Sequence, residues 1–184
     1  MSFASAREME RWLAAEHARS PGIWLKIPKK GSGVASVSYA DAIESALCFG
    51  WIDGQRAPAQ EGFFLQRFTR RSSRSRWSKI NRQRAEALIA SGRMDVAGLR
   101  EVERARTDGR WDAAYDGART AQVPEDLQAA LDANPKAAAF FATLDGSNRY
   151  SVLYRLQEAK RPETRARRLD TFVTMLANGQ KLHP

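Results

Sequence analysis

The residues best suited to chemistry lie in one run, Arg67-Phe68-Thr69-Arg70-Arg71-Ser72-Ser73-Arg74-Ser75-Arg76-Trp77-Ser78-Lys79. Guanidinium forks grip phosphate oxygens in pairs, hydroxyls donate, and a helix start adds unpaired N–H groups and the positive end of its dipole. The chemistry expected of Arg67, Arg70, Arg71, Arg74, Arg76 and Lys79 is therefore the holding of an anion: a phosphate, a nucleotide or a nucleic-acid backbone. The competing reading is a solvated loop whose arginines pair with the acidic stretch 85–150, since surface ion pairs are common and individually weak. Phe63, Phe64, Phe68 and Trp77 interleave with these cations. Exposed, they would stack the bases of a single strand; buried, they would be core, the more frequent fate of strand aromatics.

A second constellation is Trp51-Ile52-Asp53-Gly54. A carboxylate in a half-dry cleft bordered by Trp51, Trp77 and Asn81 would have a raised pKa and would serve as a general base, with the arginines orienting an anionic substrate. Alternatively, Asp53 shapes a turn through its side chain, as Asp before Gly commonly does. The two histidines, His17 and His183, stand in neither a metal-ligand nor a triad spacing. His17 suits a helix C-terminus and His183 a frayed tail. Cys48, alone in the chain, excludes an internal disulfide and reads as a buried thiol. Lys30-Gly31-Ser32-Gly33 lacks the spacing of a phosphate-binding glycine loop. No cofactor and no metal is expected.

The elements that must position these residues follow from periodicity and punctuation. Ser5 opens a helix reaching about Ala18, with Met9, Trp12 and Leu13 as its apolar stripe. After Pro21-Gly22, the alternation in Ile23-Trp24-Leu25-Lys26-Ile27 predicts a strand with Ile23, Leu25 and Ile27 facing the core. A turn over Lys29–Gly33 leads to Ser38 and Asp41, which form a capping-box start for a helix over Tyr39–Phe49 that ends at Gly50. Trp51–Gly54 predicts a short strand closing in a turn, and Phe63–Phe68 a second strand. Beyond Ser78 the period is helical: 79–91 ending at Gly92, 96–107 ending at Gly109, then helices with Pro124, Pro135 and Pro162 in their first turns. The predicted class is α+β: a small N-terminal β-sheet flanked by helices, then a mostly helical C-terminal half. No repeat or low-complexity linker divides it, so 1–184 reads as a single domain with an α/β part over 1–78 and a helical part over 79–184 packed on it, with soft boundaries near 78 or 120.

Composition narrows the class further. The chain has 184 residues, 43% hydrophobic and 28% charged, which is globular rather than disordered or membrane-embedded. Its opening residues carry charges and no apolar run, so no export signal and no membrane insertion are expected, and a reducing cytoplasm fits the lone cysteine. The net charge of +9 is unevenly placed: residues 61–84 hold eight Lys/Arg against one Asp/Glu. A concentrated patch of this kind raises the local potential and attracts anions.

Ala46-Leu47-Cys48-Phe49-Gly50-Trp51-Ile52-Asp53-Gly54, the stretch from Arg67-Phe68-Thr69 to Trp77-Ser78-Lys79-Ile80-Asn81, and Gly92-Arg93-Met94 with Ala97-Gly98-Leu99 resemble the YdeI/OmpD-associated family, also called bacteriocin-protection proteins. Gly109-Arg110-Trp111 to Ala114-Tyr115, and Ala159-Lys160-Arg161 with Glu163-Thr164-Arg165 and Arg168, resemble it as well. The resemblance implies a role in envelope stress and in resistance to antimicrobial peptides or bacteriocins, and brings no catalytic residue with it. Arg70 stands where similar sequences place a proline, and Ser72 and Ser73 where an Arg and a Pro are frequent, which implies a more flexible loop. Three functions of different class are therefore open: a stress-protection protein holding an anionic ligand or nucleic acid, an enzyme using Asp53, and a module docking an acidic protein partner.

Overall fold

The structure, a computed structural model, describes residues 1–29 and 31–184; the turn expected at Lys29–Gly33 contains Lys30, which lies outside the described residues. The chain forms two compact units, Met1–Ala114 and Tyr115–Pro184. Its class is α+β, with a small antiparallel sheet in the N-terminal half and helices throughout the C-terminal half.

In the first unit, α1 (Ala6–Glu16) precedes β1 (Ile23–Pro28), then come α2 (Tyr39–Cys48), β2 (Trp51–Pro58), β3 (Phe63–Arg70), α3 (Lys79–Ala90) and α4 (Val96–Thr107). Ser5, Ser38 and Ser78 cap α1, α2 and α3, each hydroxyl accepting the backbone N–H three residues on, so these helices start where their serines allow. Gly50, at φ +71°, supplies the left-handed turn that ends α2 and feeds β2 directly. The sheet order is β1-β3-β2, all antiparallel. Ile23, Leu25 and Ile27 pair with Phe68, Gln66 and Phe64 and face the core with Trp51, Met9, Leu13 and Leu47. The N-terminal residues follow the free edge of β1, where Lys26 N–H donates to Met1 O at 2.8 Å. Several boundaries differ from expectation, among them that of β3, which runs on from Phe68 to Arg70. β2 does not close in a turn at Gly54; it runs on to Pro58 because a bulge between Asp53 and Arg56 absorbs the glycine. Helix α1 stops at Glu16, with His17 as its C-cap.

The second unit contains α5 (Glu125–Asp132), α6 (Pro135–Thr143), α7 (Gly146–Glu158) and α8 (Pro162–Ala177) around Leu127, Leu131, Phe141, Val152, Leu156, Phe172 and Leu176. Pro135 and Pro162 occupy first helical positions, where a missing N–H costs nothing, and Pro124 stands one residue earlier at the N-cap of α5. Arg165 joins α8 to α5 through both Asp126 oxygens, at 2.6 and 2.8 Å. His183 is not frayed: its N–H donates to Oδ1 of the buried Asn148 at 2.9 Å. Among the described residues, no helix is long and apolar enough to cross a membrane.

Candidate functional site

The basic segment leaves the sheet at Arg70 and turns into α3. Strand alternation separates its first two cations, because Arg67 pairs with Trp24 on the outer face while Arg70 pairs with Trp51 on the core side. Each donates to a backbone carbonyl beyond α1: Arg67 to Pro21 O at 3.4 Å and Arg70 to Ala18 O at 3.1 Å. Arg71 does not stand on the surface. It is 5% exposed, its guanidinium lies 3.7 Å from the Trp77 ring centroid, and its Nη1 donates to Arg76 O. A buried guanidinium on an indole face is a packing element, and Trp77 continues the stack onto Trp111 at 4.9 Å. The serines that looked free to bind a ligand close the turn on itself: Ser72 N–H donates to Ser75 Oγ, and Arg74 N–H to Ser72 Oγ. Arg74 and Lys79 are exposed and Arg76 is half-buried.

The Asp53 constellation assembles differently from expectation. Trp51 and Trp77 are both core residues, so they border no open cleft; the Trp51 indole donates to His17 O at 3.2 Å and meets Trp12 edge-on. Asn81 is half-buried and accepts from Arg84. The group that meets Asp53 is Tyr39, at the start of α2, whose hydroxyl donates to Asp53 Oδ2 at 2.6 Å. Burial and this carboxylate push the Tyr39 phenol well above its ordinary value, while Arg84 and Arg56 pull the other way. Arg56 itself lies over the Phe64 ring at 3.8 Å, and Phe64 meets Tyr39 edge-on. Tyr39 carries no motif, so this pairing had no signal in spacing. Cys48 is buried and its thiol is pushed up to about 11 by that burial, which makes it a poor nucleophile.

A third surface emerges only from the strand register. On the outer face, Trp24 stands opposite Arg67, Lys26 opposite Leu65, and Pro28 opposite Phe63, with Ile52 and Ala57 beside them on β2. Trp24 is 36% exposed, and Lys26 Nζ lies 4.1 Å from the Phe63 centroid. Of the aromatics interleaved with the basic run, Phe68 and Trp77 are core, Phe64 lies on the core side under Arg56, and Phe63 alone lies on this outer face. The alternation in Ile23–Ile27 already turns Trp24 and Lys26 away from the core. Their meeting with Phe63 and Arg67 depends on a pairing some forty residues apart in sequence.

Residues 1–101 match the family model of a domain of unknown function (DUF8412), and residues 120–179 match the family described as bacteriocin-protection, YdeI or OmpD-associated. No curated protein and no solved structure matches the chain. The motifs at 46–54, 67–81 and 92–99 lie within the first match and those at 159–168 within the second, so the basic segment, Asp53 and the outer sheet face all fall in the first. The first model covers more than half of the chain, which therefore belongs to the family of the domain of unknown function DUF8412 and carries in its C-terminal unit the YdeI/OmpD-associated, bacteriocin-protection segment.

Proposed function

We propose that the N-terminal unit binds a polyanion, presented as phosphate groups, through Lys26, Arg67, Arg70 and Arg74. Support comes from how these cations are held. A carboxylate partner both orients a guanidinium and cancels its charge, whereas a carbonyl partner orients it and leaves the charge in place. Arg67 and Arg70 have carbonyl partners. Several arginines elsewhere are matched with carboxylates instead: Arg93 with Glu10 and Glu44, Arg104 with Glu101, Arg106 with Glu103, Arg110 with Asp108, Arg165 with Asp126. Among the described residues, no carboxylate lies within ion-pair distance of Lys26, Arg67, Arg70 or Arg74. The expectation is thereby narrowed: Arg71 serves the interior, and Lys26 joins the set. A bacteriocin-protection role would then work by covering an anionic cellular component, since a positive surface repels cationic peptides.

The test is a salt series of oligonucleotide binding. Four phosphate contacts give a slope of log K on log salt of about −3 for a single strand, or about a 50-fold loss for a fourfold rise in salt. Replacing Arg67, Arg70 and Arg74 together by Ala should flatten that slope to about −0.7. Salt-independent binding, or a slope unchanged in the triple variant, overturns the reading. Capture of an acidic protein in place of any oligonucleotide would transfer the surface to a protein partner.

A further inference from the structure

We infer that the outer face of the three-stranded sheet is a stacking platform for single-stranded nucleic acid, with Trp24 and Phe63 receiving bases and Lys26 and Arg67 contacting phosphates; this rests on the polyanion reading above. Each ring on the face is matched with a cation. Arg67 Cζ lies 5.8 Å from the Trp24 centroid, across the β1–β3 pairing, and Lys26 Nζ lies 4.1 Å from that of Phe63. Such pairs keep the cations over apolar surface, and a base laid on a ring would move its cation aside onto the neighbouring phosphate. Leu65, between them on β3, is half-buried and completes an apolar floor.

The occupant follows from charge and shape together. Among the described residues of this face no carboxylate occurs, so the surface is uniformly positive. Glu8 lines a groove of about 470 Å³ with Lys26 and Phe63, and its carboxylate accepts the Ala4 N–H at 2.7 Å. A duplex offers phosphates but hides its bases, and would leave Trp24 and Phe63 unused. A single strand offers both a phosphate at every step and a flat apolar face for each ring. From Arg67 to Phe63 the chain advances four residues, roughly 13 Å at about 3.3 Å per residue, which accommodates two or three nucleotides, as sheet-borne platforms do.

The experiment compares a fluorescein-labelled thymidine dodecamer with a blunt duplex of the same length by anisotropy at low salt, using the whole chain. The wild type should bind the single strand more tightly. Trp24→Ala should weaken single-strand binding about tenfold, the order expected for loss of one stacked base, and leave duplex binding unchanged. Trp24→Phe, which keeps a flat ring, should restore most of the loss, and that rescue separates stacking from damage to the fold. Phe63→Ala should repeat the effect. If both alanine variants keep the wild-type strand preference while the Arg67, Arg70, Arg74 triple variant loses all binding, the platform is refuted and the polyanion reading stands. If neither oligonucleotide binds at low salt, both fall.

Discussion

Gly98 carries the packing on which the N-terminal unit depends, and Gly98→Ala measures it. A Cβ at this position in α4 would meet the carbonyl oxygen of Cys48 and the Met94 sulfur well inside contact distance, and the Leu47 oxygen at 2.7 Å. Two opposing effects decide the sign. Alanine favours a helix over glycine by about 1 kcal/mol. Overpacking costs about 1–3 kcal/mol, and the upper end applies where the obstacle cannot rotate away. Here two of the three obstacles are backbone oxygens at the end of α2. Both are held in place, Leu47 O by Gly50 N–H at 3.1 Å and Cys48 O by Asp95 N–H at 3.2 Å. Relief therefore requires α4 to move off α2, stretching the second of these bonds. The net expectation is a loss of about 2 kcal/mol, or a fall in Tm of about 10 °C at the 4–8 °C per kcal/mol of a domain this size. All five tryptophans, at positions 12, 24, 51, 77 and 111, lie in the first unit, so indole fluorescence during thermal unfolding reports on it alone. A Gly98→Ala protein as stable as the wild type, or more stable, would refute the close approach of α2 and α4.

Two further outcomes follow from the titrating groups. Because Tyr39 is raised in the folded state, its contribution is fully present below about pH 10 and is lost as pH climbs toward its folded value; Asp53→Asn removes the charge while keeping an amide oxygen that can accept, and should bring its ionisation down in an absorbance titration of the four tyrosines, whereas an unchanged curve would break the pairing. Asp126 is lowered chiefly by its hydrogen bonds from Arg165, so its contribution is present above about pH 4 and lost as pH falls through the folded value. Asp126→Asn should therefore cost about 0.5–1 kcal/mol at pH 7, and the gap should narrow as pH falls below about 4 in urea titrations followed by circular dichroism.

What could be read from the chain was whatever depends on near neighbours. Ser5, Ser38 and Ser78 announce their helices because a cap acts over three residues, and Ile23, Leu25 and Ile27 announce a core face because strand alternation is strict. Asp53-Gly54 misleads at the same range: the dipeptide is common in turns, yet β3 supplies a partner strand and the bulge absorbs the extra length, so β2 continues. The fate of Arg71 was hidden because it depends on Trp77, and through it on Trp111 forty residues along. Tyr39 and Asp53 meet only once α2 lies against β2.

The same dependence on partners explains why counting cations overstates the site. Eight Lys/Arg over 61–84 describe a charge density, but each guanidinium acts according to what holds it. An indole ring and a carbonyl hold Arg71 in the interior, where it supports the turn and offers a ligand little. Carboxylates at Arg93, Arg104, Arg106 and Arg110 neutralise what they hold. Carbonyls at Arg67 and Arg70, and the Phe63 ring at Lys26, fix a cation and leave its charge unspent. Only the last kind projects a field into solvent from a defined position, and two of these cations, Lys26 and Arg67, lie on the outer sheet face with the exposed Trp24 and the half-buried Phe63, while Arg70 turns to the other side. A ligand that used charge alone would lie equally well along the whole basic run. The geometry of Trp24, Lys26, Phe63 and Arg67 discriminates by requiring flat apolar groups and anionic groups in alternation, which makes strand preference, more than affinity, the quantity that decides what this face is for.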